Sequence, residues 1–289
     1  MKFEQARIAL TPRSAANCLD LALLVAGRNL GVLVPVWALF AVPLGVMTYF
    51  TARYSDYGFL VAMALGFFGT GPLGVMLITG AARYSFGEDW TFTGSMFHWK
   101  TDVPVMLRVI GYQFLLAFAS LLFILPAALL AVRWGFVVEN AVLTRLHAAR
   151  HDRRTKELID LEFSDLFVRG GALFLAGSVV WFITELTVDV LWTILFNQSL
   201  FFGRLGDLGS MSALEVDFDR YFEHVVKLVF TDPTVLTLHL TTGLAAYMLC
   251  RLAWYFCYLD LRVRRDCWDL ELEILQEAER INAEPGVRA

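Results

Sequence analysis

Glu185 and Asp189 stand one helical turn apart in apolar surroundings, within the run Phe167–Phe196. An acid inside such a helix is costly and is a functional hypothesis by default. Depth offers a plainer account: at 1.5 Å per residue Glu185 lies about 27 Å from Phe167, so an interfacial helix end is the expected reading of the pair. Glu139, His239 and Arg251 are further ionisable residues set among apolar ones. His239 falls at a depth comparable to Glu185 and can pair with it, and Arg251 can meet Glu139. Together the four residues make either an ion or proton path or a set of polar ties between helices.

Two further spacings invite chemistry. His147 and His151 at i, i+4 can offer two nitrogens to one metal, but Ala148 replaces the glutamate of H-E-x-x-H, and Arg145, Arg150, Arg153 and Arg154 repel a cation. A basic face near anionic lipid is the expected use. Gly69-Thr-Gly-Pro-Leu-Gly74 satisfies G-x-G-x-x-G, yet a dinucleotide site needs a preceding strand. Here the glycines lie mid-run around Pro72, and small residues from Ala62 and Gly66 onward let a neighbouring helix approach closely. No Walker A, G-x-S-x-G or H-E-x-x-H motif occurs. The chain reads as non-enzymatic, with no catalytic, metal or cofactor residues.

The elements carrying these residues are apolar runs of membrane length. Crossing a hydrocarbon core of roughly 30 Å takes about 20 residues as a helix. Leu30–Phe50, Phe59–Ala82 and Thr234–Cys257 qualify, and Val105–Val132 and Phe167–Phe196 exceed the minimum. Backbone groups in a bilayer must pair within each segment, so the fold class is an all-α polytopic bundle; the alternating short segments of a β-barrel are absent. Hydrophobic residues make up 57%, mean hydropathy is +0.58 and net charge is −4, which excludes a basic nucleic-acid surface. Cys18, Cys250, Cys257 and Cys267 form no C-x-x-C pair and are expected to be unpaired thiols.

Basic residues set the expected topology. They concentrate in residues 1–29, 145–169 and 262–289, which the positive-inside rule places in the cytoplasm. An even number of crossings must separate these segments, so Val105–Leu146 is expected to be a hairpin bent at Pro126, bringing the total to six spans with both termini inside. A single long kinked helix and five spans is the alternative. Residues 1–29 form an amphipathic N-terminal segment, 30–260 the membrane domain, and 261–289 a charged cytoplasmic helix and tail. Ser14–Asn29 is expected to lie in the membrane interface, with its apolar positions at Ala15, Cys18, Leu19, Ala22, Leu23, Val25 and Ala26. Trp90, Phe92, Phe97 and Trp99 suit a membrane-surface connection, and Asn197–Asp232 reads as the main exterior loop. The first span is longer than a signal-peptide core and is expected to be retained.

The segment following the last span, Tyr258-Leu-Asp-Leu-Arg-Val-Arg-Arg-Asp-Cys-Trp-Asp-Leu-Glu271, resembles the closing motif of the YciC-like and glycerophosphodiester-phosphodiesterase membrane-domain superfamily of bacterial six-span proteins. Thr11-Pro-Arg-Ser14 with Leu19-Asp-Leu-Ala22, and Leu125-Pro126 with Arg133 and Glu139-Asn140, are similar to it as well. Asp266-Cys267 stands where that group usually has Glu-Gly, and His147–Asp160 departs from its arginine-serine segment. The resemblance implies six spans in a bacterial cytoplasmic membrane and no phosphodiesterase activity, since no such domain is present. Physically, Arg262, Arg264 and Arg265 suit the lipid interface, and Asp260, Asp266 and Asp269 stand at helical spacing to bond them. That surface either anchors the helix end or docks a partner, another membrane protein or a cytoplasmic one. The expected role is a membrane scaffold or accessory subunit; the alternative is a small transporter or channel component using Glu139, Glu185, His239 and Arg251.

Overall fold

The computed structural model describes residues 12–97, 103–122, 124–146, 159–206 and 218–266, and among these the apolar runs are helices and no strand occurs. In chain order they are α1 (Ala15–Arg28), α2 (Leu30–Tyr54), α3 (Gly58–Ser85), α4 (Phe92–Phe97), α5 (Val103–Leu122), α6 (Ile124–Trp134), α7 (Val137–Leu146), α8 (Phe163–Phe196), α9 (Phe218–Thr231) and α10 (Pro233–Asp266). Four of them, α2, α3, α8 and α10, are long and apolar enough to cross a membrane. Each outruns its apolar stretch at one end or both: α8 has 34 residues, about 51 Å at the helical rise.

The chain divides into two compact units, one drawn from Met1–Leu33, Gly74–Phe174 and Leu249–Ala289, the other from Val34–Leu73 and Leu175–Met248. In the first unit α10 is the central element. Every residue from Leu252 to Val263 is buried, and so is every residue of α3 from Gly74 to Ala82. A helix covered on all sides has no face left for solvent, which decides the fate of the charges on α10 below. Trp90 packs on α3 where Gly80 leaves room: a Cβ there would lie 1.9 Å from the indole Nε1. That nitrogen donates to Ser95 Oγ at 3.1 Å. Within the connection that the sequence marks with Trp90 and Phe92, Trp90 is thus an internal anchor, its only polar side-chain atom bonded to a protein partner.

The stretch Val105–Leu146 turns back on itself, but not at Pro126. α5 ends at Leu122 and α6 begins at Ile124, and Tyr112 stacks on Trp134 with ring centroids 5.0 Å apart. Those two rings lie eleven residues either side of position 123, the register of an antiparallel pair. Pro126 falls in the first turn of α6, where its missing N–H has no helical acceptor to lose. The return leg breaks again at Gly135-Phe136 before α7.

α1 is capped by Ser14, whose hydroxyl accepts from the Asn17 N–H at 3.3 Å. Its covered face is Cys18, Ala22, Val25 and Ala26, while Leu23 and Leu24 remain exposed. The cysteines Cys18, Cys250 and Cys257 form no disulfide.

In the second unit α2 and α10 lie close together. A Cβ on Gly45 would sit 3.3 Å from a Thr241 methyl, and the Trp37 indole donates to the Thr241 carbonyl at 3.0 Å. The glycine motif of α3 serves the same end: a Cβ on Gly66 would meet Leu240 of α10, and one on Gly69 would meet Leu44 of α2. All of Gly69–Gly74 lies inside one helix, with no strand-to-helix turn to receive a phosphate. Asn197–Asp232 contains ordered elements, a helical turn at 202–206 and the fourteen-residue α9.

Asp232 caps α10, its carboxylate accepting from the Thr234 and Val235 N–H groups at 2.9 and 3.2 Å with Pro233 at the first helical position. Burial pushes that carboxyl upward, but hydrogen bonds from Arg204, Thr234 and Val235 outweigh it and hold the acid below its ordinary value.

Candidate functional site: buried charge pairs

The break after α6 leaves the Gly135 carbonyl without a helical donor. Arg251 of α10 supplies one at 3.0 Å, and its other terminal nitrogen donates to Glu139 Oε2 at 2.7 Å. Glu139 is wholly buried. Phe136 stacks on Trp254 at 4.7 Å and lies 5.0 Å from Tyr258. Arg251, Trp254 and Tyr258 occupy one face of α10 at i, i+3 and i+7, so one stripe of side chains receives the whole broken turn. Gly135 is required there, since a Cβ would lie 2.8 Å from the Trp254 Nε1. Glu139 Oε1 and Arg251 Nε are buried and make no hydrogen bond.

Further along α10, Asp260 collects three donors. Its Oδ2 accepts from Arg169 at 2.8 Å and Arg264 at 2.7 Å, and its Oδ1 accepts from the Arg13 backbone N–H at 2.5 Å. Arg169 also donates to Asp165 at 2.8 Å and to the Arg13 carbonyl at 3.2 Å. The chain just before α1 is thus gripped from both sides.

Arg265 pairs with Glu162. Arg262, which the sequence suggested would face lipid headgroups, is 1% exposed and donates to the Tyr258 hydroxyl at 3.0 and 2.8 Å. Asp260 is equally buried. The difference from expectation is topological: α10 continues unbroken through position 260 to Asp266 and is enclosed as far as Val263, so Asp260 and Arg262 turn to protein partners. Arg264 and Arg265 reach the exposed surface. Asp269, Cys267, His147 and His151 lie outside the described residues.

In the second unit, Glu185 Oε1 meets His239 Nδ1 at 2.5 Å and accepts from the Thr242 hydroxyl at 3.2 Å. Trp181 donates to Thr242 Oγ1 at 3.0 Å. His239 sits edge-on between Trp181 and Phe201, at 5.9 and 5.3 Å.

Asp189 does something different from its neighbour one turn earlier. Its carboxylate accepts the backbone N–H groups of Leu200, Phe201 and Phe202 at 2.5, 3.0 and 2.9 Å and the Ser199 hydroxyl at 3.0 Å. The chain reverses between these elements at Asn197, whose φ of 53° is in the left-handed region that asparagine tolerates. Asp189→Ala removes the acceptor for four donors and is expected to cost about 1–3 kcal/mol. Amide exchange at Leu200–Phe202 should then quicken roughly ten- to a hundredfold, with the first turns of α8 unchanged; unaltered exchange would show that the carboxylate does not hold the loop.

The sequence reading missed Arg169 as a site residue, although it interrupts an apolar run and follows Asp165 at the i, i+4 spacing of a helical ion pair. The bonds that tie Arg13 to Asp260 and Arg169 use its backbone N–H and carbonyl, which no side-chain pattern records. Among the described residues no group of histidine, cysteine and acidic side chains is disposed to hold a metal. What these arrangements accomplish chemically is the neutralisation of buried charge between helices distant in sequence.

No family model, curated protein or solved structure matches the chain. Fold and buried pairs define its class: an all-helical protein with four helices long and apolar enough to cross a membrane.

Proposed function

We propose that this protein is a six-span membrane scaffold or accessory subunit of a bacterial cytoplasmic membrane, both termini cytoplasmic, belonging to the YciC-like group. The observation that carries the role is the commitment of the intramembrane charges: Glu139 to Arg251 and Glu185 to His239 and Thr242. A transport path needs groups that exchange partners; these are bound to neighbouring helices. The six-span count draws support from the return of α6 along α5 at Tyr112 and Trp134. A second reading, a small transporter or channel component, is favoured by Glu139 Oε1 and Arg251 Nε, which keep unspent hydrogen-bonding capacity in a buried place.

Cysteine accessibility in intact cells tests the topology, with single probes at Ser55, Asp89, Pro126, Ala149 and Gly206 on a cysteine-free background. Exterior labelling is expected at Ser55, Pro126 and Gly206 only; exterior labelling at Ala149 would sink the six-span arrangement. The role is tested by Glu185→Gln and His239→Gln. A scaffold loses abundance with these changes, whereas a transporter keeps its abundance and loses flux.

A further inference from the structure

α9 is two-faced. Phe222, Val225, Val226, Leu228 and Val229 share one side of the helical wheel, with Phe230 at its border, and Glu223, His224, Lys227 and Thr231 share the other. The protein covers only one edge of the apolar side: Leu228 is buried, whereas Phe222 is 61% exposed and Phe230 41% exposed. On the polar side Glu223 and Lys227 are exposed and pair with each other at 2.7 Å.

Position decides what meets the uncovered edge. α9 ends one residue before Asp232, which caps α10 as it begins its membrane-length run. Phe230 packs edge-to-face on Phe59 at 4.7 Å, in the first turn of α3. Leu60 in the same turn of α3 and Met63 on the next are themselves 63% and 59% exposed. The apolar edge of α9 is therefore continuous, through Phe230 and Phe59, with the apolar flank of a span at the very level where two spans start. Water on one side of that level and hydrocarbon on the other is the setting in which a short helix lies flat, its apolar side in the acyl boundary and its charges in the headgroups.

We infer that α9 is a membrane-surface anchor that inserts Phe222, Val226 and Phe230 into the outer boundary of the lipid bilayer. The inference rests on the membrane reading of the spans. Its partner is lipid rather than a second protein, because the exposed edge runs into lipid-facing positions of α3. The helix fixes the level at which α3 and α10 enter the bilayer.

The test uses the full chain in vesicles of phosphatidylcholine and phosphatidylglycerol, with nitroxide labels on single cysteines at 222, 223, 227, 230 and, as a control on the exposed flank of α8, 175. Collision with oxygen and with a water-soluble nickel chelate is compared at each site. Labels in Phe222→Cys and Phe230→Cys are expected to favour oxygen, at a depth of about 5–10 Å, those in Glu223→Cys and Lys227→Cys to favour nickel, and that in Leu175→Cys to favour oxygen strongly. Nickel-favoured labels at 222 and 230 with an oxygen-favoured label at 175 would overturn the anchor while leaving the spans intact. Labels at 222 and 230 reached by neither reagent would also overturn it, since protein would then cover the edge. A nickel-favoured label at 175 would remove the membrane reading and the anchor with it.

Discussion

Arg251→Leu is expected to destabilise the protein by about 3–5 kcal/mol, the cost of leaving a buried charge without its partner. The side chain removed is 12% exposed and its acceptor, Glu139, is fully buried, so water cannot take the place of the guanidinium. The same change strips the Gly135 carbonyl of its donor at the break between α6 and α7. Because the penalty comes from the orphaned carboxylate, the double variant Glu139→Leu/Arg251→Leu should recover most of the loss. Arg251→Lys should fall between, since a compact ammonium lacks the planar fork whose two separate nitrogens reach these acceptors at 3.0 and 2.7 Å. Reversible denaturant titration in detergent micelles measures all three. A double variant no more stable than Arg251→Leu would mean that the pair is not what joins α7 to α10.

Asp260→Ala should be as damaging, about 3 kcal/mol or more, because it takes the buried carboxylate from Arg169, whose side chain is 8% exposed, and leaves it only the exposed Asp165 as a counter-charge. Its effect should spread to α1. The Arg13 N–H and carbonyl are held by Asp260 and by Arg169, so the loss of one carboxylate slackens both bonds. Amide exchange through Ala15–Ala26 should quicken, and trypsin should cut after Arg13 at low enzyme levels. Asp165→Ala is the control: that carboxylate is 40% exposed, and its pair with Arg169 should contribute about 1 kcal/mol or less. Equal effects of the two substitutions would contradict the central place of Asp260.

The sequence alone determined that this chain is helical and where its long helices run, because twenty-odd apolar residues can satisfy their backbone only within themselves. It also identified Glu139, Arg251, Glu185 and His239, since unpaired charge in such runs is too costly to be incidental. Tyr112, Trp134 and Pro126 mark where that reasoning ends. A proline signals a helix boundary only to within a turn, and the reversal falls ahead of it. Arg262 is the sharper case. Its charged neighbourhood reads as solvated surface, yet enclosure of α10 turns it toward Tyr258. The grip on Arg13 is made by backbone atoms, which every residue possesses and no side-chain pattern records. Tertiary structure alone decided which charges face inward and which partners they take, because burial depends on what packs around a helix and not on the composition of the helix itself.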